Sequence, residues 1–210
     1  MKTLGISAGA TLFVCNLVSF SQSNVPCGQT LDASLRPGAM LTIDSRPAGI
    51  EIVGTDQEAI HVSCTADDTD DARHIHLRFS GTPTHARLAI TSTYHESGGL
   101  QLRVEVPRKM NLGIQMPAGE VKVDEIVGDK DIELYAGKIT ISLAHEWDYR
   151  NINASVDIGE VRADGTDKGG FFRVIRKENA DGEYHLYAHV ITGQIDLLDK
   201  NSRAAAANSQ

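Results

Sequence analysis

The chain has 210 residues, a formal net charge of −8 and 5% aromatic residues. An acidic balance argues against nonspecific nucleic-acid binding, which needs a basic footprint. With so few aromatic side chains, Val, Ile, Leu and Ala must fill the core, which suits sheets better than a large aromatic ligand pocket.

Met1 and Lys2 form a short positive start, and Leu4 to Phe20 then carry no charge over 17 residues. Small residues at Ser19 and Ser21 fit signal-peptidase cleavage, so residues 1–21 are predicted to be a removable export signal. A retained anchor is the less favoured alternative, because a membrane helix needs about 20 apolar residues. Lipid attachment at Cys15 is disfavoured by the bulky Val14 before it. The mature chain is then expected outside the cytoplasm, in the periplasm, on the outer surface or beyond it, with no membrane span. Cys27 and Cys64 remain, and an oxidising compartment permits a disulfide between them. Cys64 also continues the alternation of Ile60 and Val62, so a buried thiol is the alternative.

Residues 22–34 read as an extended N-terminal arm, and residues 35–199 as a single all-β repeat domain. Short alternating runs put Leu41 and Ile43 on one face, then Ile50 and Ile52, then Ile75, Leu77 and Phe79, then Leu100, Leu102, Val104 and Val106. Turn residues divide them, as at Arg36-Pro37-Gly38 and Gly81-Thr82-Pro83. No run of ten residues shows a helical stripe, so no helix is expected to carry a phosphate loop.

From Leu112 to Leu198 the alternation becomes a strand–Gly–strand repeat anchored at Gly119, Gly137, Gly159 and Gly193. Apolar residues fall two and four positions after each glycine, as in Val121/Val123 and Ile139/Ile141. They also fall seven, five and three positions before it, as in Leu112/Ile114/Met116, with Lys130 as the exception. Glycine accepts a positive φ at such a corner without steric cost. The pattern predicts a β-solenoid or rolled sheet, with an antiparallel meander as the alternative. Stacking in chain order would place Glu120, Lys138, Glu160 and Gln194 in one ladder, with opposite charges adjacent. Residues 169–182 form an excursion whose apolar residues, Phe171 and Phe172 among them, are expected to fold back onto the coil. Residues 200–210 carry no core pattern and read as a disordered tail.

Chemical sites are sparse. His74 and His76 share a strand face and would chelate zinc only with a third ligand from His61, His85 or His95; separate solvated histidines are favoured. His185 and His189 stand roughly 13 Å apart along a strand, too far to share a metal, with Tyr187 between them. The run Asp67-Asp68-Thr69-Asp70-Asp71 lacks the glycine and spacing of a calcium loop and reads as a solvated turn. Asp157 and Glu160 are the nearest approach to the acid/base pair of a glycan-cleaving enzyme. Arg173, Arg176 and Lys177 make a small basic spot beside two phenylalanines. No catalytic, cofactor-binding or metal residue is therefore assigned.

Arg103-Val104-Glu105-Val106-Pro107, Val156-Asp157-Ile158-Gly159-Glu160-Val161 and Val190-Ile191-Thr192-Gly193-Gln194-Ile195-Asp196-Leu197 resemble the bacterial family of exported β-strand-repeat proteins called "putative adhesins", a domain of unknown function. The resemblance covers roughly residues 38–198. It implies export and a solenoid or rolled-sheet fold, and it brings no functional residues. The expectation is a noncatalytic protein of the cell envelope or surface, an adhesion or binding scaffold without cofactors, whose partner is an envelope protein or glycan. A β-helix enzyme that processes envelope polysaccharide is the alternative from another class. A periplasmic sensor or assembly partner is a third.

Overall fold

The computed structural model describes residues 21–46, 48–67, 69–92, 99–163 and 166–199. The expected export signal up to residue 20 and the tail from residue 200 lie outside the described residues. The chain is nearly all β and forms one sheet of thirteen strands, with no closed barrel. Eight shorter strands come first: β1 (Ser21–Pro26), β2 (Leu31–Ser34), β3 (Ala39–Asp44), β4 (Ala48–Thr55), β5 (Ala59–Thr65), β6 (Ile75–Thr82), β7 (His85–Ser92) and β8 (Gln101–Pro107). Five long ones follow: β9 (Met110–Asp124), β10 (Lys130–Leu143), β11 (Tyr149–Ala163), β12 (Thr166–Glu178) and β13 (Tyr184–Asp199). A short helix α1 (Thr69–His74) and a 3-10 turn at Glu146–Asp148 complete the described elements. The helix lies where a plain solvated turn was expected, in the acidic run.

Pairing sorts these strands into nine tiers, each a strand, a corner and a second strand. One arm of the stack runs β1, β6, β7, β3, β9, β10, β13, β11, β12. The other runs β2, β5, β8, β4, then the later halves of β9, β10, β13 and β11 and the first residues of β12. The inward residues of both arms join one apolar cluster, in which Leu41, Ile52, Val104, Val121, Ile139, Ile195 and Val156 are fully buried. The arm predicted for residues 22–34 is extended and paired: β1 lies against β6, and β2 against β5.

The four repeat glycines stack in register. Gly137 pairs with both Gly119 and Gly193, and Gly193 pairs with Gly159. Their φ angles lie between 129° and 150°. A Cβ on Gly137 would lie 1.9 Å from the carbonyl oxygen of Gly119, and one on Gly193 would lie 1.8 Å from that of Gly137. Only glycine lets successive corners approach at strand spacing. Val121 and Ile139 are partners in a parallel ladder, which removes the antiparallel meander for these strands.

Two expectations need correction. The spatial order is β9, β10, β13, β11, so the last repeat is inserted between the second and third. The hairpin β11–β12 occupies the outer edge of β11, and β13 pairs with its inner edge. The outward ladder is therefore Glu120, Lys138, Gln194, Glu160. Lys138 pairs instead with Asp196 at 2.9 Å, and Glu160 with Arg162 at 2.6 Å. The excursion is β12 itself, antiparallel to β11 at the end of the stack. Ile175 is buried there, but Phe171 and Phe172 are 68% and 79% exposed. They sit on the outside of a bent edge strand, with no further tier among the described residues to cover them.

Candidate functional site

The outward face of the glycine-cornered tiers carries rows that run across the strands. One row holds Gln115, Glu133, His189 and Ser155, joined by register pairing. Gln115 Nε2 donates to Glu133 at 3.2 Å, and Ser155 Oγ lies 2.9 Å from His189 Nδ1. Nearer the corner, Pro117, Tyr135 and Ile191 stand in the next outward positions, and the Tyr135 ring is 65% exposed. With Asp44 and Ser45 of the fourth tier these residues line a groove of about 440 Å³. Ser45 Oγ is buried with no hydrogen-bond partner among the described residues. Gly113 leaves a gap in the outward face, and an adjoining hollow of about 250 Å³ opens there between Met40, Thr42, Asp131 and Glu133.

The electrostatics of this face are acidic. Burial, and then the charge of Glu133, raises the Asp131 carboxyl above its ordinary range. Burial first, and then Glu133, Asp131 and Asp157, raises the Tyr187 phenol. The face thus combines carboxylates, an amide, an imidazole and exposed phenol rings on rigid, fully paired strands. Such groups can hydrogen-bond and stack against a polar ligand without moving.

Ser155, His189 and Asp157 form a row of hydroxyl, imidazole and carboxylate, with 3.9 Å between His189 Nε2 and Asp157. β11 and β13 are interior strands, each paired on both sides. The row is a set of cross-strand pairs.

The other sequence candidates stay apart. His61 pairs with Asp32 at 2.6 Å, and His85 lies 3.3 Å from Thr84 on the opposite arm. His76 sits on β6 and His74 closes α1, while His95 is outside the described residues. Among the described residues no three His, Cys, Asp or Glu side chains gather to hold a metal. Asp157 and Glu160 flank the Gly159 corner from its two sides, and Glu160 is engaged with Arg162. His185 contacts Asn151 at 3.1 Å. Asp68 lies outside the described residues. Cys27 and Cys64 are bonded to each other, tying the turn after β1 to the end of β5.

The basic spot resolves into two roles. Arg173 and Lys177 pair across from Val156 and Ile152, which face the core. They and Lys168, opposite Val161, hold the core-side register positions of the last strand, where apolar residues stand in the earlier tiers. Arg176 faces outward beside Asn153.

Lys130, the one break in the apolar pattern, is 2% exposed. Its Nζ donates to the carbonyls of Ile126 and Gly128, each at 3.0 Å, and to the Tyr149 hydroxyl. The ammonium also sits 4.8 Å from the Tyr149 ring centre. Burial lowers its pKa to about 7, against an opposing pull from Asp129. Burial also raises the Tyr149 phenol. The lysine satisfies a loop that would otherwise leave buried carbonyls unpaired. The signal was visible as a charge at an apolar offset, but its partner Tyr149 lies beyond reach of the repeat pattern.

No family model matches the chain, and no curated protein does. A solved structure described as a "putative cell adhesion protein" from Clostridium sporogenes is similar over 82% of this chain and 99% of that one, at 12% identity and a TM-score of 0.48. Another, a "putative adhesin" from Bacteroides fragilis, is similar over 56% of this chain and 59% of that one, at 12% identity and a TM-score of 0.30. Both scores fall below the level that carries an argument, so the functional reading rests on the chain's own residues.

Proposed function

We propose that this protein is an exported, noncatalytic binding scaffold of the cell envelope or surface, a short β-solenoid-like stack that presents its outer face to an envelope protein or glycan, in adhesion. The observation that carries the reading is the groove bounded by Asp44, Gln115, Glu133, Tyr135 and His189. Its donors, acceptors and exposed ring are fixed by paired strands, which is how a preorganised binding surface limits the entropy lost on association. The leader-like first residues support export.

The test is capture of envelope protein and glycan fractions on immobilised protein, comparing wild type with a Tyr135→Ala/Glu133→Gln double variant. Retention of a component by wild type and its loss in the variant is the expected result. Equal retention by both would remove the groove from the reading, and release of shortened polysaccharide would replace it with catalysis.

A further inference from the structure

The corner of the last tier differs from the glycine corners at Gly119, Gly137, Gly193 and Gly159. The glycine-cornered tiers turn at a single Gly, and at this level their exposed side chains are single and separated by Ala118, Ala136 and Thr192. In β12 the corner reads Gly169-Gly170-Phe171-Phe172-Arg173. Phe171 lies across from Ile158, itself 47% exposed, so three large apolar side chains stand together in water. Phe172 holds a φ of +51°, a conformation that bulky side chains rarely adopt. The strain keeps two consecutive rings on the outside of the bend, where regular alternation would turn one inward.

The charge around this corner is also distinct. Arg87, Arg103, Lys122, Lys138 and Arg162 on other strands each hold a carboxylate, while Arg78 and Arg150 stand singly on theirs without one among the described residues. Lys168, Arg173 and Arg176 are exposed, and none has an acidic partner among the described residues. Lys168 Nζ and Arg173 Nε donate only to the carbonyls of Val174 and Gly169, at 3.2 and 2.7 Å. Residues 166–178 hold four cations and two carboxylates, a balance of 4 − 2 = +2 on a chain of −8.

We infer that the Phe171–Phe172 corner is a membrane-surface docking element: the two rings enter the interface of a bilayer bearing anionic headgroups, and Lys168, Arg173 and Arg176 meet the headgroup phosphates. Convexity favours this occupant over a protein. Rings exposed this far stand on a ridge and not in a pocket, and a fluid interface can close around a ridge. Addition of a strand from a second copy is opposed by the inward cations of β12, the usual protection of a sheet edge. Basic side chains beside exposed aromatics are the combination that holds proteins at anionic lipid surfaces. The inference stands apart from the groove, which lies towards the middle of the stack.

The experiment uses the chain from Ser21 onward, which carries the whole described core and lacks the apolar leader. It is sedimented with vesicles of phosphatidylcholine alone and of phosphatidylcholine with phosphatidylglycerol. Wild type is expected to partition onto the anionic vesicles, less so as salt rises. A Phe171→Ser/Phe172→Ser variant should lose at least tenfold in partition coefficient with no fall in melting temperature. Arg176→Glu should lose severalfold on anionic vesicles and little on neutral ones. Absence of vesicle binding, or equal binding by the double variant, overturns the inference. So does a wild type that self-associates in sedimentation velocity where the double variant is monomeric and neither binds lipid, for then the ridge is an interface between copies.

Discussion

Ala48 and Gly119 are neighbours in the column of corners, one with a side chain and one without. Ala48 opens β4 and keeps a negative φ; Gly119 sits within a continuous bent strand at φ 129°. The contrast separates the two regions of the molecule. At the step from β3 to β4 the chain changes strands, so a side chain is tolerated at Ala48, whereas α1 stands between β5 and β6 and Gly28 holds a φ of 90° after β1. In the last five tiers the strand itself turns, and the corner lies directly against its neighbour. In the first region the Cys27–Cys64 bond fastens the turn between β1 and β2 to β5. The second region has no such bond among the described residues and relies on the glycine column.

The largest test of that contrast is the disulfide. Its sequence separation is 37, for which loop-closure entropy gives about 4 kcal/mol. Urea unfolding of a Cys27→Ala/Cys64→Ala variant should show a loss of this order, with the first region melting ahead of the second by hydrogen exchange. Uniform loss of protection along the chain would show that the two regions are one cooperative unit. The glycine column comes next. Gly193→Ala must push a methyl group against the Gly137 carbonyl and should cost about 3 kcal/mol or more. Ala48→Gly, at the step from β3 to β4, should cost under about 1 kcal/mol. Similar losses at both sites would erase the distinction.

How far the sequence reveals this depends on the region. In the second, the apolar offsets around each glycine are fixed by local geometry, so Val121, Ile139, Val161 and Ile195 could be placed on the core face from one strand at a time. The order of tiers could not, because β11 and β13 present the same inward pattern and either fits beside β10. In the first region the tiers are assembled out of chain order, with β3 and β4 inserted next to β9, and no periodicity encodes that choice. The groove was hidden for the same reason: Asp44 and Glu133 meet only once the tier order is known. Phe171 and Phe172 were misplaced because alternation fails at a bend, where consecutive residues face outward together.

A pH test probes the join between the regions, where Lys130 supports the loop that follows β9. The folded pKa, near 7, lies below the ordinary value of 10.5. Between these values the unfolded chain binds more protons than the folded one, so stability rises as pH rises from about 7 to 10.5 and levels off beyond. Chemical denaturation at intervals across that window should show the slope in wild type and not in Lys130→Met. A flat wild-type profile would mean that the two carbonyls and the Tyr149 hydroxyl hold the ammonium fully charged despite its burial.

The smallest effect is expected at Phe172. A bulky residue at φ +51° carries strain, and asparagine adopts positive φ more readily. The ring is 79% exposed, so removing it forfeits little packing. Phe172→Asn should therefore raise stability by about 0.5–1 kcal/mol, read as a small upward shift in melting temperature. Gly170, two residues earlier in the bend, already has the residue type its φ of 119° needs, and Gly170→Asn should move stability the other way. If Phe172→Asn instead destabilises, the ring is held by contacts with Ile158 and the strand beneath it, and the outer corner belongs to the packing of the last tier. If it stabilises, the chain keeps at its most exposed corner a side chain that its own fold would be better without, which is the mark of a residue retained for a partner outside the molecule.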